Sequence, residues 1–298
     1  MGAFVIAGGD LMFRGSCFEY AGTYSGDYNL TIMYVENSYN KFDTGGSYKP
    51  VTDTIPKVAE DLLYGLKHSE NPLKFSIEIV NTDGAIPIEQ MKKIKDWLFG
   101  QEGWKRLRLM DGDFQDYYLN CLLLPEEDIV DSLGYRGVRC TLQNISGFWY
   151  KDETISFNNF NNTTSVQTVR VNTINDFPIF PLVEISLKSF ADYGTLDFFN
   201  IQLINSNDKG GINLSGKMTE AEVKYTVNTK YGYYTIEEKR MGIITSPTHF
   251  VKPLRLLNGA NIITVFAKGD SVEDKEKIFE YIENITYKFT TLHRIGGF

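Results

Sequence analysis

The chain has 298 residues, which is enough for one large or two ordinary domains. Its formal net charge is −8 and it contains no basic run, so a nucleic-acid-binding protein, which usually carries a basic patch, is disfavoured. No stretch approaches the roughly 20 apolar residues that a membrane-spanning helix requires, and we expect neither nucleic acid nor membrane as a partner.

Aromatic residues make up 14% of the chain, and this content favours β structure because these rings fit pleated surfaces. The three cysteines, Cys17, Cys121 and Cys140, are too few and too widely spaced for a disulfide framework or a CxxC metal site. They predict buried thiols in a reducing compartment, with a Cys121–Cys140 bridge as the less favoured alternative. Residues Met1 to Phe13 lack the pattern of a signal peptide, so we expect the protein to fold in a cytoplasm.

Along most of the chain, apolar residues alternate with polar ones. Period-2 alternation places one set of side chains on each face of a strand and therefore predicts half-buried antiparallel strands. The alternating apolar sets are Phe75/Ile77/Ile79, Val138/Cys140/Leu142, Val183/Ile185/Leu187, Val223/Tyr225/Val227 and Ile263/Val265. The turns predicted between strands carry glycine, at Asp111-Gly112, Gly134, Gly210-Gly211, Gly232 and Asn258-Gly259.

One helix interrupts this pattern, from about Pro87 to Phe99. Pro87 suits a first helical turn, and Gly100 ends the helix. Apolar residues recur at spacings of three and four and form one stripe, which consists of Ile88, Met91, Ile94, Trp97 and Leu98. A second, weaker helix is predicted from Ile55 to Leu66, with Val58, Leu62 and Leu66 on one face.

The polar, Asn-rich segment from Asn158 to Gln167 is the best candidate for a linker between domains. It divides the chain into residues 1–160, which combine strands with the helix, and residues 161–298, which are almost entirely β. The predicted fold class is therefore mainly β with one or two helices, as an α+β N-terminal domain followed by an all-β C-terminal domain.

Catalytic and metal-binding constellations are scarce in the sequence. The three histidines, His68, His249 and His293, lie in no recognisable nucleophile or zinc motif. Alternating oxygens at Asp111, Asp113 and Asp116 could bind calcium in a turn, but the segment lacks the glycine and closing glutamate of an EF-hand loop. A hairpin turn with polar tips is the favoured interpretation of these aspartates.

A group of acidic residues late in the first half is one further candidate for a catalytic site. A carboxylate pair for glycoside hydrolysis could be drawn from Glu126, Glu127, Asp128 and Asp131, although only the spacing in space decides that chemistry. No GxGxxG or GxxxxGK[ST] motif supports nucleotide binding. The sequence therefore predicts no cofactor, no metal and no enzymatic activity.

Four segments together carry a resemblance to a known family. The most specific runs from Ile94 to Leu124 and contains Trp97-Leu98, Gly103-Trp104, Leu107-Arg108-Leu109, Asp111-Gly112-Asp113 and Tyr117-Tyr118 in that order. The other three are LMFRGSCFEYAGTYS at Leu11–Ser25, NPLKFSIEIVN at Asn71–Asn81 and PLRLLNGANIITVFAKG at Pro253–Gly269, the last containing an L-x-x-G-x-N-x-I pattern. In this order of motifs the chain resembles the distal tail proteins of bacteriophages that infect Gram-positive bacteria.

The resemblance implies a structural role in the virion tail, assembled in the host cytoplasm. Members of the family form rings, usually hexameric, in which the N-terminal domains make the ring and an extended β arm reaches the neighbouring copy. Their C-terminal domain is a galectin-like or carbohydrate-module-like β-sandwich that points outward. The implied partners are the chain itself, the tail tube protein, and the tail-associated lysin, fibre or receptor-binding proteins.

The resemblance also directs attention to an aromatic, glycine-punctuated segment within residues 24–50, where we expect the arm. The candidate interface residues are Tyr28, Tyr34, Tyr39, Phe42 and Tyr48. An ordinary hairpin that covers its own sheet is an equally good interpretation. The candidate structural core of the first domain consists of Trp97, Leu98, Trp104, Leu107 and Leu109.

Two other classes of function stay open from the sequence. A glycan-binding β-sandwich that recognises the cell surface would need an exposed aromatic platform in the second half, whereas Tyr225, Tyr233 and Tyr234 are better explained as residues that fill sheet faces. A tail-associated hydrolase would need the catalytic motifs that the sequence lacks.

Overall fold

The computed structural model describes residues 16–34, 48–53, 62–68, 74–110, 114–144, 146, 148–160, 166–175, 177–188, 196–218, 223–231, 234–238, 248–249, 252–269 and 278–294. The chain divides into two compact units, which we call unit 1 (Met1–Lys151 and His293–Phe298) and unit 2 (Asp152–Leu292). The sequence placed the boundary between residues 160 and 161. Both crossings between the two compact units lie inside strands.

The prediction of a mainly β chain with few helices is confirmed. The strands that begin in unit 1 are β1 (Phe18–Tyr20), β2 (Thr23–Tyr24), β3 (Leu30–Tyr34), β4 (Tyr48–Asp53), β5 (Leu62–His68), β6 (Lys74–Asn81), β7 (Lys105–Leu109), β8 (Tyr118–Asp131), β9 (Gly134–Asn144) and β10 (Phe148–Phe157). A 3-10 turn occupies Ser25–Tyr28, and helix α1 occupies Ile88–Phe99.

The main sheet of unit 1 is antiparallel and runs in the order β3-β6-β9-β8-β7-β1-β2, with β10 joining β8 where Tyr150 faces Tyr118. Just before β1, Ser16 forms a bridge to Ile32 in β3, where the Ile32 N–H donates to the Ser16 carbonyl at 3.0 Å. This bridge links β1 back to the far end of the strand order. The sheet therefore curls around a single core.

Strand alternation fills that core as the sequence pattern predicts. Ile77 and Ile79 on β6 are fully buried while Ser76 and Glu78 between them are partly exposed. Cys121 and Cys140 are buried in the same core and are free thiols. Cys121 faces Asn144 and Cys140 faces Pro125 across the β8–β9 pair, so the two thiols sit at different levels along the strands and cannot form a disulfide.

Helix α1 begins after Pro87 and ends before Gly100, as its sequence predicts. Four residues of its apolar stripe, Met91, Ile94, Trp97 and Leu98, are buried in the core of unit 1, whereas Ile88 is 71% exposed. The weaker helix predicted from Ile55 is wrong over Leu62–Leu66, because these residues belong to β5. A spacing of four residues is even, so it also suits the period of a strand. Residues 55–61 of that prediction lie outside the described residues.

Trp97 connects the helix to the first strands. Its indole stacks on Phe18 and on Tyr28, with ring centroids 5.8 and 5.5 Å away, and its Nε1–H donates to the carbonyl of Tyr20 at 2.9 Å. Leu98, Leu107 and Leu109 are fully buried around it. One helical side chain thus combines apolar burial with a buried hydrogen bond to β1.

Trp104 differs from its predicted place in the core, because its side chain is 39% exposed. It precedes β7 in the same phase as Arg106 and Arg108, whereas the inward phase of that strand holds Leu107 and Leu109. Period-2 alternation therefore directs Trp104 to the outer face.

Unit 2 contains the end of β10 and nine further strands in its described part. They are β11 (Val166–Thr173), β12 (Leu182–Leu187), β13 (Leu196–Asn205), β14 (Gly211–Met218), β15 (Val223–Asn228), β16 (Tyr234–Glu238), β17 (Thr248–His249), β18 (Gly259–Gly269) and β19 (Ile282–Arg294). One sheet has the order β16-β15-β12-β19-β10 and the other has the order β11-β18-β13-β14-β17. Both sheets contribute side chains to a single apolar core, which holds Ile185 and Tyr287 from the first and Ile201 and Val265 from the second.

At one end of unit 2, a buried asparagine organises the chain that leads into β18. The side-chain oxygen of Asn261 accepts the Leu257 N–H at 2.7 Å, and its Nδ2 donates to the Leu257 carbonyl at 2.7 Å. Asn205 Nδ2 donates to the same Asn261 oxygen at 2.9 Å. Gly259 within this turn has a φ of 92°, a conformation that other residues rarely adopt. The fold therefore explains the Gly and Asn of the L-x-x-G-x-N-x-I pattern, since Gly259 permits the turn and Asn261 holds it.

A charged triad spans the three middle strands of the first sheet of unit 2. Glu184 on β12 accepts a hydrogen bond from Lys288 Nζ on β19 at 2.7 Å and lies 3.4 Å from Lys224 Nζ on β15. The Glu184 side chain is 12% exposed. Burial alone would raise the pKa of this carboxyl group, but the two lysines outweigh burial and hold its pKa below the ordinary value.

Replacement of Trp97 tests the role of the helix. We expect Trp97→Ala to lower the free energy of unfolding by about 3–5 kcal/mol, because it removes both ring stacks and the hydrogen bond to Tyr20. Denaturant unfolding monitored by circular dichroism measures this loss. Trp104→Ala is the matched control and should cost about 1 kcal/mol or less, since that ring is partly in water. Equal losses in the two variants would contradict the assignment.

The lowered pKa of Glu184 predicts a pH-dependent contribution to stability. A carboxylate whose pKa is depressed by folding stabilises the folded state above its unfolded pKa of about 4.3, and this contribution disappears as the pH falls through the folded pKa. Glu184→Gln should therefore melt at a lower temperature than wild type at neutral pH, with the difference shrinking in acid. Glu283→Gln, at an exposed position on β19, is the control and should show no such trend. A pH-independent difference for Glu184→Gln would refute the charge argument.

Candidate assembly surfaces

Of the five predicted interface residues, the three that the structure describes, Tyr28, Tyr34 and Tyr48, belong to three different elements of unit 1. Tyr28 stacks on Trp97 at the edge of the core of unit 1, so it covers its own fold. Tyr34 closes β3 and pairs with Ile77, and Tyr48 opens β4 and pairs with His68. Tyr39 and Phe42 lie outside the described residues.

The first part of the segment in which we expect the arm lies in the main sheet of unit 1. Residues Tyr24–Tyr34 form the end of β2, a 3-10 turn and β3, and Leu30 and Ile32 within β3 are fully buried. Inward-facing residues at period 2 place this segment in the main sheet. Aromatic content alone did not distinguish a ring that covers its own sheet from one that reaches a neighbour.

A separate hairpin follows in the chain. Strands β4 and β5 pair only with each other in the described residues and form a two-stranded antiparallel sheet from Tyr48↔His68 to Asp53↔Leu62. A bulge interrupts the pairing between Val51 and Thr52. Among the described strands of unit 1, β4 and β5 are therefore the two that do not belong to the main sheet.

The acidic residues considered for hydrolysis form contacts with neighbouring strands, with helix α1 or within a turn. Arg139 lies opposite both Glu78 and Glu127, at 2.7 and 2.5 Å. Asp128 pairs with Lys95 of α1 at 2.7 Å, and Glu126 accepts a hydrogen bond from Ser76 at 2.8 Å. Each of these carboxylates thus has a role in joining neighbouring strands or the helix.

Asp131 closes the hairpin between β8 and β9. Its carboxylate accepts Arg136 Nε at 2.5 Å and the backbone N–H of Leu133 at 2.7 Å. The hydrogen bond from Arg136, aided by that from Leu133, lowers the pKa of Asp131. An ionised aspartate in this position stabilises a turn and is poorly suited to serve as a general acid.

The other candidates for chemistry are dispersed. Of the three calcium candidates, Asp111 and Asp113 lie outside the described residues, and Asp116 lies 3.5 Å from Lys151 Nζ. Among the residues with a described placement, no group of three His, Cys, Asp or Glu side chains converges as metal ligands would. Burial raises the pKa of Cys121 and of Cys140, so both thiols stay protonated and unreactive.

A shallow, open groove occurs in unit 2 between the end of β10 and the beginning of β11. Its lining consists of amide, hydroxyl and apolar side chains, namely Ser156, Phe157, Asn158, Asn159, Phe160, Gln167, Thr168 and Val169. Such a lining can form hydrogen bonds and apolar contacts, but it offers no group for proton transfer. Elsewhere in unit 2, Tyr231 is 67% exposed on the turn after β15.

An apolar surface that the sequence analysis missed lies at the β8–β9 turn of unit 1. Val130 and Leu133 are 58% and 73% exposed. The Ile86 N–H donates to the Tyr135 carbonyl at 2.7 Å, which places the segment leading into α1 beside this turn. Ile88, which also belongs to the predicted apolar stripe, is exposed just beyond that bridge. The signal was present in the sequence as two apolar residues that break an acidic run.

No helix in the described part of the chain combines the length and the apolar character needed to cross a bilayer.

We compared the chain with known protein families and solved structures. Residues 13–146 match the family model described as "Phage tail protein N-terminal domain". The crystal structure of the SPP1 Dit protein, described as a paradigm of the hub adsorption apparatus in Gram-positive infecting phages, superposes with a TM-score of 0.54 at 9% identity and covers 93% of this chain and 98% of that chain. No curated protein matches in sequence.

A further structure, the phage P2 baseplate in its activated conformation with Ca, reaches a TM-score of 0.48 at 10% identity and covers 92% of this chain and 97% of that chain.

These findings define the class of protein. Residues 13–146 are similar to phage tail protein N-terminal domains, and this similarity supports a structural role in a phage tail. Over nearly its whole length it has the fold of a distal tail protein, and the resemblance seen in the sequence is confirmed.

Proposed function

We propose that the chain forms the ring-shaped hub of a phage tail tip, which joins the tail tube to tail-associated lysin, fibre or receptor-binding proteins. The family match over unit 1 and the fold shared with SPP1 Dit support a hub role. In this proposal unit 1 builds the ring, and unit 2 offers surface to other tail proteins. The function is assembly, in which no bond is made or broken.

The β4–β5 hairpin, whose strands pair only with each other among the described residues, carries the proposal of self-association. A two-stranded hairpin is at best marginally stable alone in water, because half of its backbone groups lack strand partners. In the described part of the chain, neither β4 nor β5 pairs with the main sheet. A strand from a neighbouring copy would satisfy those edge groups, which is the general mode of strand addition.

The sequence of the hairpin favours one edge for that contact. Pro50 lies within β4 next to the bulge at Val51/Thr52, and proline is confined to sheet edges and bulges because it lacks an N–H. β5 reads LLYGLKH and contains no proline. We therefore place the neighbour against β5. Repetition of one such head-to-tail contact closes a ring when the rotation between copies permits it, and we expect a hexamer.

Removal of the hairpin tests this function. A variant in which residues 48–68 are replaced by a short Gly-Ser linker should stay folded, since no described strand of the main sheet pairs with the hairpin. Native mass spectrometry should find a discrete multimer near a hexamer for wild type and monomers for this variant. Ile174→Ser, at a 76% exposed position of unit 2, is the control and should retain the multimer. A wild-type protein that stays monomeric at high concentration, or a deletion variant that still multimerises, would contradict the proposal.

A further inference from the structure

The sequence contains a single Asn-Gly pair, Asn258-Gly259, and both residues are exposed in the turn that leads into β18. A glycine after asparagine leaves its own backbone nitrogen unhindered, because it has no side chain to block approach to the asparagine amide. We propose that Asn258 is a covalent modification site, where the folded protein undergoes spontaneous deamidation with water as its only co-reactant.

The proposed reaction has two steps. The backbone nitrogen of Gly259 attacks Cγ of Asn258 and forms a C–N bond that closes a five-membered imide, while its proton passes to water and the side-chain Nδ2 leaves as ammonia. Water then hydrolyses the imide at one of its two carbonyls. Opening at one carbonyl gives aspartate, and opening at the other gives isoaspartate, in which the backbone runs through the former side chain. The net change is addition of water and loss of ammonia.

The fold places a donor at the atom where negative charge develops in the first step. The backbone N–H of Asn175 points to Asn258 Oδ1 at 3.4 Å. Asn175 is 4% exposed, and its own side-chain Nδ2 donates to the carbonyl of Phe177, so the donor is held by buried structure. A fixed donor at a developing oxyanion lowers the barrier to attack, and long contacts of this kind shorten as charge accumulates.

An Asp-Gly pair in unit 1 provides an internal comparison. Asp83-Gly84 could form the same imide with loss of water, but the Gly84 N–H donates to Asn81 Oδ1 at 3.2 Å, and the Asp83 N–H donates to the same oxygen at 2.8 Å. These bonds occupy the attacking nitrogen and fix the turn. We therefore expect the folded protein to react at Asn258 and to spare Asp83.

Isoaspartate at position 258 would disturb the hydrogen bonds that organise this end of unit 2. Asn261 holds Leu257 through both the N–H and the carbonyl at 2.7 Å, and its Nδ2 reaches the Gly259 carbonyl at 3.3 Å. Isoaspartate adds a methylene to the backbone between Leu257 and Gly259, so these contacts cannot all be kept. Aspartate leaves the backbone length unchanged, and only the isoaspartate product should destabilise unit 2.

The experiment compares the folded protein with the same protein unfolded in guanidinium chloride, both incubated at mildly alkaline pH. Peptide mapping by mass spectrometry follows the exchange of amide for carboxyl at residue 258, and isoaspartyl methyltransferase labelling locates isoaspartate. We expect the folded protein to react at Asn258 at least as fast as the unfolded one, with labelling at Asp83 only after unfolding. A folded rate about tenfold or more below the unfolded rate, or preferential labelling of Asp83 in the folded protein, would overturn the proposal.

Two variants separate the modification from its structural effect. Asn258→Gln should abolish the reaction in the folded protein, because the longer side chain disfavours ring closure, and incubation should leave its melting temperature unchanged. Asn258→Asp should melt like freshly prepared wild type. Wild type should melt at progressively lower temperature as isoaspartate accumulates, and an unchanged melting temperature at high isoaspartate content would refute the claim that the Asn261 contacts are lost.

Discussion

The structure of unit 1 depends on the contact between Trp97 and the first strands. A curled sheet leaves its interior open where strands end, and the helix must cover that opening without leaving polar groups unsatisfied. Trp97 meets both needs, because its ring stacks on Phe18 and Tyr28 while its Nε1–H donates to the Tyr20 carbonyl. A leucine would bury a comparable surface but would leave that carbonyl without this donor. The contact also explains why Tyr28 packs against the core of its own unit.

Much of this architecture follows from local patterns in the sequence. Strand alternation and the apolar stripe of α1 depend on residues a few positions apart, so the period of burial can be read directly from the chain. The prediction of a second helix was wrong where the apolar spacing suits both a helix and a strand. Leu62 and Leu66 suit one helical face and one strand face equally well. The prediction of a core position was also wrong at Trp104, where aromatic size suggested burial although the phase of Leu107 and Leu109 pointed the other way.

The assembly surfaces were harder to predict for a physical reason. Burial of a core residue satisfies a constraint within the chain, whereas an interface residue satisfies a constraint set by another molecule. The hairpin β4–β5 is distinguished by what it does not pair with in the described residues, which is a property of the whole topology. Likewise, the exposure of Val130 and Leu133 depends on how the β8–β9 turn meets the segment before α1. The pairing of the hairpin has no short sequence signature, and the apolar residues at the β8–β9 turn are visible in the sequence only as a break in an acidic run.

The motifs that carry the family resemblance are constrained within the chain and not by another molecule. Trp97-Leu98 and the L-x-x-G-x-N-x-I pattern around Asn261 are places where one side chain satisfies several buried groups, so few substitutions are tolerated. Asn261 binds both backbone groups of Leu257, and Gly259 adopts a φ of 92° that permits the turn. Such residues indicate the fold, because the fold requires them whatever partner the protein binds. SPP1 Dit shares this fold at 9% identity, so the fold does not identify the partners of this chain, and these must be determined from its surfaces.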